Sequence, residues 1–140
     1  MAGNITDELS TQFGAAVMNA EVLKSVDKEN EGGTLANFAD KSLFLQLRYQ
    51  LTDAFAFGAI GTYSSKVYLG QPDAAAADFG VPSYTVYDLF ATYQVNKDLL
   101  VRLNVNNVLD EDYYLAGYRS GSFAYIGDRR SAQIAVAYEF

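Results

Sequence analysis

Hydrophobic and polar residues alternate along several stretches of the chain, most regularly in the last one, Ser131 to Phe140. One face of this stretch carries Ala132, Ile134, Val136, Tyr138 and Phe140, and the other carries Gln133, Ala135, Ala137 and Glu139. About ten residues is what one tilted strand needs to cross the hydrocarbon core of a bilayer. The stretch therefore predicts either a membrane-spanning strand that ends on aromatic residues or an amphipathic strand of a soluble sheet.

The same alternation predicts further strands upstream. They cover Gln12–Val22, where the alternation is weakest, Ser42–Leu51, Ala54 to about Val67, Tyr84–Val95 and Asp98–Val108. Short turns at residues 52–53 and 96–97 separate strands within pairs, and long loops over residues 23–40, 68–83 and 109–130 separate the pairs. This order is typical of an up-and-down membrane barrel. A soluble meander rarely sustains it, because long loops are uncommon in compact domains.

The polarity of the two strand faces indicates which face meets lipid. Between the flanking turns of the last five predicted strands, that is apart from Lys66 and Asp98 at strand ends, the charged residues are Arg48, Asp88, Arg102 and Glu139. All four lie opposite the face that carries Leu, Val, Phe and Tyr. The rest of that face is mostly Ser, Gln, Asn, Thr, Ala and Gly. A soluble sheet usually places Lys and Glu there, whereas a lightly polar lining suits a barrel interior. The pattern thus favours a membrane barrel over a soluble sandwich.

Aromatic residues on the apolar face form two groups. One group, beside the short turns and the C-terminus, consists of Tyr49, Phe55, Tyr93, Tyr138 and Phe140, and the other, near the long loops, consists of Tyr63 and Tyr87. Amphipathic rings prefer the headgroup boundary of a membrane. Two aromatic girdles therefore indicate that the strands cross a bilayer from one interface to the other. Packing preference alone explains the number of aromatic residues but not their placement.

Composition excludes several classes of function. A net charge of −7, with only 10 scattered Lys and Arg residues, argues against nucleic-acid binding. The absence of Cys and His removes the usual nucleophile–base pairs and zinc sites, so we expect neither an enzyme nor a cofactor. We interpret the acidic cluster Asp110, Glu111 and Asp112 as a solvated loop rather than a cation site. No apolar run is long enough for a membrane helix, and residues 1–10 lack the features of a signal peptide.

Three sequence patterns together resemble the C-terminal end of TonB-dependent outer-membrane receptors. Residues 104–114 read NVNNVLDEDYY, residues 127–130 read GDRR before the aromatic-ended last strand, and residues 82–88 read PSYTVYD. Members of that family commonly carry Asn-Leu-Phe-Asp followed by Tyr-Tyr, then Gly-x-x-Arg, and a Pro-x-Tyr approach to an earlier strand. In this chain Leu109 stands where Phe is frequent. The resemblance covers roughly residues 40–140 and is specific in combination.

The resemblance implies an all-β, antiparallel, up-and-down transmembrane barrel of about 22 strands. Residues 1–140 would be its C-terminal part, about six strands, with outer-membrane lipid, the remaining strands and a plug domain as partners. We find no plug domain and no TonB box in the sequence. The full receptor, in the bacterial outer membrane, would import a ferric siderophore or similar nutrient with energy delivered through TonB. Six strands fall short of the minimum of about eight for a closed barrel, so the chain is a fragment, a truncated reading frame or a subunit that closes by oligomerising. We favour a fragment, which would not transport alone.

The resemblance also implies roles for individual residues. Outer-loop candidates for ligand binding are Tyr113, Tyr114, Tyr118, Arg119, Tyr125, Arg129 and Arg130. Two alternatives stay open: Arg129 and Arg130 pair with carboxylates at the barrel mouth, and Tyr113 and Tyr114 belong to an interface girdle. Tyr138 and Phe140 would form the terminal signal that the barrel-assembly machinery recognises.

Two further classes of protein share the strand pattern. A small oligomeric porin or adhesin-like barrel would be complete at this length and would migrate as a closed oligomer in detergent. A soluble carbohydrate-binding β domain would use exposed loop tyrosines and would be monomeric without detergent.

Overall fold

The computed structural model describes residues 1–35, 37–69, 80–118 and 122–140. These residues form one short 3₁₀ helix, Lys28–Asn30, and the following strands: β1 Ala2–Asn4, β2 Leu9–Val17, β3 Lys41–Gln50, β4 Phe55–Ser64, β5 Val67–Tyr68, β6 Gly80–Val81, β7 Tyr84–Asn96, β8 Leu99–Asn106, β9 Tyr114–Tyr118, β10 Phe123–Ile126 and β11 Ser131–Tyr138. Seven of them make one antiparallel sheet in the order β1-β2-β3-β4-β7-β8-β11, and β5–β6 and β9–β10 form two separate hairpins. The all-β, up-and-down prediction is confirmed.

Each predicted strand corresponds to a strand of the large sheet, with differences at the ends. β2 begins at Leu9 and ends at Val17, earlier at both ends than predicted, and β4 ends at Ser64. β4 stops there because the chain leaves the sheet to form β5, which pairs with β6. The sequence did not predict β1, which has only three residues and pairs with β2.

Two of the predicted long loops contain hairpins. The segment 109–130 holds β9 and β10, which pair antiparallel through Phe123 and Tyr118, and the segment 68–83 is framed by β5 and β6. These segments satisfy part of their backbone hydrogen bonds locally, which makes extended hairpins more favourable than open loops. The predicted alanine run, residues 74–77, lies outside the described residues.

The register of the large sheet places the predicted faces on opposite sides along its whole width. Leu45 of β3 lies opposite Phe13 of β2 and Gly61 of β4, whereas Gln46 lies opposite Gln12 and Ile60. We call the face that contains Leu45 the outer face and the face that contains Gln46 the inner face. The pairing is regular from β2 to β11, with one register shift near the end of β7.

The outer face is apolar and also the more exposed of the two. Leu43, Leu45 and Leu47 are 45%, 43% and 38% exposed, whereas the alternating Phe44 and Gln46 are less accessible. Among the described residues the buried hydrophobic side chains are Ala56, Val81 and Val86 only. The two faces of β3 therefore differ in exposure, and the apolar face is the more accessible one. The sheet is therefore apolar outside and polar inside, which is the reverse of a soluble domain.

Among the described residues, no helix is both long enough and apolar enough to span a membrane.

Aromatic side chains cluster on the outer face at the end of the sheet with the short turns. The ring centroids of Tyr49 and Phe57 are 5.8 Å apart, and those of Phe55 and Tyr93 are 6.4 Å apart. Tyr138 and Phe140 add a pair at 6.1 Å. The first two contacts join β3, β4 and β7, and the Tyr138–Phe140 pair lies two strands away at the end of β11, so the aromatic residues at the short-turn end form two clusters.

Gly58 is the position where the inner face is most tightly packed. A Cβ atom there would clash with the carbonyl oxygen of Leu47 and with the ring of Phe90, which lies across it. We expect Gly58→Ala to lower the free energy of unfolding by about 1–3 kcal/mol, because the ring and a backbone segment must both shift. Gly14→Ala is the matched control, since its Cβ would meet only Phe44 Cβ at 3.9 Å. Equal urea midpoints for the two variants in lipid vesicles would contradict this packing.

Candidate functional site

The two hairpins lie at the long-loop end of the sheet and pack against each other. The side chain of Leu69, just after β5, covers Gly117 of β9, and Val81 of β6 is 5% exposed. A small cavity of about 180 Å³ between the hairpins is lined by Leu69, Gly80, Val81, Pro82, Tyr114, Phe123 and Ala124. The described parts of the two outer segments therefore contact each other through apolar side chains.

Asn107, directly after β8, holds the base of the segment that leads to β9. It is 2% exposed and has a positive φ of 47°. Its side-chain amide donates to the carbonyl oxygens of Glu111 at 2.8 Å and Asp128 at 2.9 Å, and its Oδ1 accepts from the N–H of Glu111 at 2.9 Å. Its own N–H donates to the Asp88 carboxylate at 2.7 Å. The side chain of Asn107 therefore joins the two ends of the 107–130 segment, and its backbone N–H ties them to β7.

A second tie joins the acidic cluster to the entry of β11. Arg129 forms a two-point ion pair with Asp110, at 3.2 Å from Nε and 3.1 Å from Nη2, and a further ion pair with Asp112. The backbone N–H of Arg130 also donates to Asp110, at 3.0 Å. Asp110 has a positive φ of 57°, and Asn107 accepts the N–H of Asp110 at 2.9 Å. These contacts correspond to the second role considered for Arg129, in which it pairs with carboxylates at the barrel mouth.

The hydrogen bond from Arg130 N–H and the Arg129 guanidinium hold the pKa of Asp110 below its ordinary value of 3.8. Because the pKa of Asp110 is lower in the folded protein, these contacts stabilise the segment at pH values above 3.8. The stabilisation is lost as the pH falls through the lowered pKa. We expect carboxyl ¹³C NMR to show the pKa of Asp110 rising in Arg129→Gln, but remaining partly lowered because Arg130 N–H still donates.

Arg130→Gln is the matched control for this titration, because it keeps the backbone donor and the Arg129 ion pair. It should move the pKa of Asp110 less than Arg129→Gln does. An equal pKa in the native protein and in Arg129→Gln would contradict the ion pair.

Tyr113 is packed within the same segment. The centroid of its ring lies 4.6 Å from that of Tyr84. The ring also covers Gly127 so closely that a Cβ atom at position 127 would clash with it, and the Gly127 N–H donates to the Tyr113 carbonyl oxygen at 2.8 Å. Burial, together with Tyr84 and Asp128 nearby, raises the pKa of its phenol. Gly127 is required by this contact, because any larger residue would displace the ring.

The remaining predicted ligand-binding residues divide by exposure. Tyr114, Tyr118 and Tyr125 on β9 and β10 are 44%, 61% and 66% exposed, so the hairpin presents aromatic surface at the long-loop end. The exposed Arg130 contributes its backbone N–H to the tie described above. Arg119 lies outside the described residues. The structure thus brings Tyr113, Arg129 and Arg130 together at the base of the segment and the other tyrosines together above it.

The predicted assembly signal lies at the opposite end of the sheet. Tyr138 pairs with Leu99 at the end of β11, and Phe140 follows it with its side chain fully exposed. All residues of β11 are exposed, and only its β8 side is paired within the described residues. The terminal aromatic residues therefore lie beside an open strand edge.

Two polar residues of the site were not assigned a role from the sequence. Asn107 belongs to the family pattern, but its burial and three side-chain hydrogen bonds are visible only in three dimensions. Asp88 was predicted to face the interior, yet its function as acceptor for Asn107 N–H depends on how β7 meets the end of β8. A single Asn between the end of a strand and an acidic turn is the sequence signal that could have suggested a residue with positive φ.

The described residues hold no group of three or more carboxylate, His or Cys side chains placed for a metal ion. The chemistry that this end of the sheet offers is aromatic stacking, phenolic hydrogen bonding and paired charges.

Comparison with known proteins places this geometry in one family. The family described as TonB dependent receptor-like, beta-barrel, matches residues 4–108. The probable TonB-dependent receptor BfrD of Bordetella pertussis is 34% identical over 96% of this chain and 19% of its own length. The probable TonB-dependent siderophore receptor PiuA of Acinetobacter baumannii is 31% identical over 99% of this chain and 19% of its own length. The chain thus spans about a fifth of these relatives.

Solved structures of TonB-dependent receptors superpose on this chain over almost its whole length. The crystal structure of the siderophore receptor PiuA from Acinetobacter baumannii superposes with a TM-score of 0.84 at 30% identity, covering 98% of this chain and 20% of that one. The closed form of the ferric-catecholate import receptor Fiu from Escherichia coli K12 gives 0.82 at 27% identity, covering 97% and 19%. The open sheet described above therefore matches part of the wall of these receptors.

Proposed function

The chain belongs to the TonB-dependent receptor β-barrel family, and from this premise we propose that it forms part of the wall of a bacterial outer-membrane receptor that takes up a ferric siderophore. The observation that carries the proposal is the exposed apolar outer face, with Leu43, Leu45 and Leu47 each more than a third exposed. In a membrane the hydrocarbon tails cover such a face, and the polar inner face lines the lumen. The relatives named as siderophore receptors support the uptake class.

Residues 1–140 act as the C-terminal part of the barrel in this proposal. Within the described residues the large sheet is open at β1 and β11, and unpaired edges are unfavourable in lipid. The remaining strands of the receptor pair with these edges, a plug domain fills the lumen, and TonB supplies energy through the N-terminal part. The chain alone neither transports nor catalyses.

The outer tyrosines supply ligand contacts in this proposal. Tyr114, Tyr118 and Tyr125 present rings on the β9–β10 hairpin, and a flat aromatic ligand such as a catecholate stacks on such rings. Tyr113, Arg119, Arg129 and Arg130 complete the candidate set, with Arg129 acting through its ion pairs to hold the hairpin in place.

Uptake of ⁵⁵Fe by iron-starved cells tests the proposed function. Cells that lack the receptor are complemented with the full-length native protein or with Tyr114→Ala/Tyr125→Ala, and supplied with ferric catecholate or ferric hydroxamate siderophores. We expect energy-dependent uptake of one siderophore class. The Kd for that siderophore should rise about tenfold in Tyr114→Ala/Tyr125→Ala and change little in the control Tyr114→Phe/Tyr125→Phe, which keeps both rings. No uptake of any ferric siderophore by the native receptor would contradict the proposal.

The arginines are tested in the same cells. Arg119→Gln and Arg129→Gln together should weaken ligand binding if they contact an anionic siderophore or hold the hairpin. Unchanged affinity would remove both residues from the site.

We further propose that Tyr138 and Phe140 guide assembly, because they end an exposed edge strand. Deleting Phe140 should slow insertion of newly made receptor into the outer membrane several-fold. Pulse-chase labelling with a heat-modifiability assay measures the rate, and Phe140→Tyr, which keeps an aromatic ring at this position, is the control. Equal insertion rates for the native and the shortened protein would contradict this role.

A further inference from the structure

A hollow of about 240 Å³ lies on the outer face, over the central strands of the sheet. The outer-face residues that line it are Phe57 of β4, Leu89 and Ala91 of β7, and Leu103 and Val105 of β8. The register brings them together, because Ala91 pairs with Phe57 on one side and with Leu103 on the other. Since Ala91 has the smallest side chain of the five, the surface is recessed over it.

The hollow does not depend on the remaining strands of the receptor. β4, β7 and β8 lie between β3 and β11, so each of the three strands has both of its neighbours in the described sheet. Further strands pair with the open edges at β1 and β11 and leave the middle of the sheet as it is. What covers the hollow is therefore whatever the outer face meets.

The depth of the hollow places it in the hydrocarbon layer, in the half beside the short turns. Tyr93 belongs to the aromatic cluster at the short-turn end, and Tyr87 lies near the long loops. Ala91 is two residues from Tyr93 and four from Tyr87, about 7 and 14 Å at about 3.4 Å per residue. Short turns of membrane barrels face the periplasm. The hollow therefore opens toward the tails of the periplasmic leaflet.

The lining of the hollow suits a hydrocarbon chain. Its outer-face side chains are all apolar, so a polar ligand would gain no hydrogen bond from them. A lipid tail that enters the hollow supplies the dispersion contacts that the lining atoms would otherwise lack. A volume of about 240 Å³ is several times the roughly 30 Å³ that one water molecule occupies, which is enough for a stretch of acyl chain.

The turn after β7 places two opposite charges at the membrane boundary. Lys97 and Asp98 join β7 to β8, the two strands that supply most of the lining. Lys97 is exposed, and neither residue takes part in an ion pair within the described part of the chain. Such a turn is complementary to a headgroup that carries both a phosphate and a primary ammonium group. Glu139, whose N–H donates to Asp98 O at 2.9 Å, adds negative charge that disfavours a purely anionic headgroup.

The distance between the hollow and the turn matches one leaflet of the membrane. Ala91 and Lys97 are six residues apart, which is about 20 Å along the strand at roughly 3.4 Å per residue. A bilayer with its headgroups is about 40–45 Å thick, so one leaflet measures about 20–22 Å. One phospholipid lying along β7 would therefore reach both the hollow and the turn.

We propose that the outer face binds one zwitterionic phospholipid of the periplasmic leaflet at this place. An acyl chain of the lipid occupies the hollow over Ala91, its phosphate contacts Lys97, and its ammonium group contacts Asp98. The inference rests on the proposed function, because it requires the outer face to meet lipid. It goes further by distinguishing one lipid with a defined position and headgroup from the tails that cover the rest of the face.

Photo-labelling of the full-length receptor in lipid vesicles tests the site. The vesicles consist of phosphatidylcholine with a trace of phosphatidylethanolamine that carries a diazirine at the end of one acyl chain. After irradiation, mass spectrometry maps the adducts. We expect them to concentrate on the residues around the hollow, above all Leu89, Leu103 and Val105. The same diazirine on phosphatidylglycerol should label these residues several-fold less, because that headgroup lacks the ammonium group.

Variants of the hollow and of the turn test the two contacts separately. Ala91→Leu should lower the labelling around the hollow about tenfold, because the longer side chain occupies the space of the acyl chain. Ala59→Leu is the matched control, since Ala59 lies on the same outer face but does not line the hollow. Lys97→Gln/Asp98→Asn should abolish the preference for phosphatidylethanolamine over phosphatidylglycerol.

Three results overturn the lipid site: adducts spread evenly over the outer face, equal losses in Ala91→Leu and Ala59→Leu, or equal labelling by the two headgroups. A heat-modifiability assay shows whether each variant is assembled, and Ala91→Val replaces Ala91→Leu if that variant is not. Adducts on inner-face residues such as Gln46, in place of the outer face, overturn the proposed barrel instead. The two failures are therefore distinguishable.

Discussion

Leu45→Arg is expected to lower the free energy of unfolding of the protein in a bilayer by about 2–4 kcal/mol, whereas Gln46→Arg is expected to be tolerated. Leu45 lies in the middle of β3 on the outer face, 43% exposed, between Phe13 and Gly61 of the neighbouring strands. An arginine there would enter the hydrocarbon layer at mid-depth. At position 46 the same side chain would point into the lumen, where Arg48 is already present two residues away.

Urea titration of the full-length receptor refolded into lipid vesicles measures this difference. Both variants introduce one arginine into the middle of β3, so they have the same total charge and the introduced residue has the same intrinsic strand propensity. Only the side of the sheet differs. Equal midpoints for Leu45→Arg and Gln46→Arg, or a larger loss at position 46, would contradict the assignment of the outer face to lipid.

The second large effect concerns Asn107. Asn107→Ala removes three side-chain hydrogen bonds at a residue that is 2% exposed and leaves the carbonyls of Glu111 and Asp128 without a donor. Alanine also tolerates the positive φ of 47° less well than asparagine does. We expect the free energy that protects residues 107–130 from opening to fall by about 3 kcal/mol.

Hydrogen exchange of the folded protein measures this local free energy. Amides of residues 107–130 should exchange roughly 100-fold faster in Asn107→Ala, because about 2.7 kcal/mol corresponds to that factor. The adjacent Asn106→Ala is the control, since Asn106 makes one 3.4 Å hydrogen bond to the Ser131 hydroxyl. If the two variants exchanged alike, Asn107 would not hold the segment. Protection of β3 should be unchanged in both.

The large sheet could be predicted from the sequence because period-two alternation determines both the strand and its face. In β3 every second residue from Leu43 to Tyr49 is apolar, and the register confirms that these residues share the outer face. The sequence also predicts which face meets lipid, because the charges Arg48 and Arg102 lie opposite the leucines. Because a helix has a period of about 3.6 residues, a period-two pattern of this length predicts a strand and not a helix.

The hairpins and the polar ties could not be predicted in the same way. β9 and β10 have five and four residues, too few for alternation to exceed the background of a loop. Asn107 joins residues that are 4 and 21 positions away in sequence, and its partners are backbone carbonyls, which carry no residue-specific signal. Arg129 was predicted either to bind a ligand or to pair with carboxylates, and charge alone did not distinguish the two.

The orientation of β3 in the membrane is the central claim, and site-directed spin labelling tests it most directly. The chain has no cysteine, so each residue from Ser42 to Tyr49 can be replaced singly by a labelled cysteine. We predict that labels at positions 43, 45, 47 and 49 are most accessible to lipid-soluble oxygen, and that those at 42, 44, 46 and 48 are not. Greater accessibility of the odd-numbered positions to a water-soluble nickel complex than to oxygen would contradict the claim.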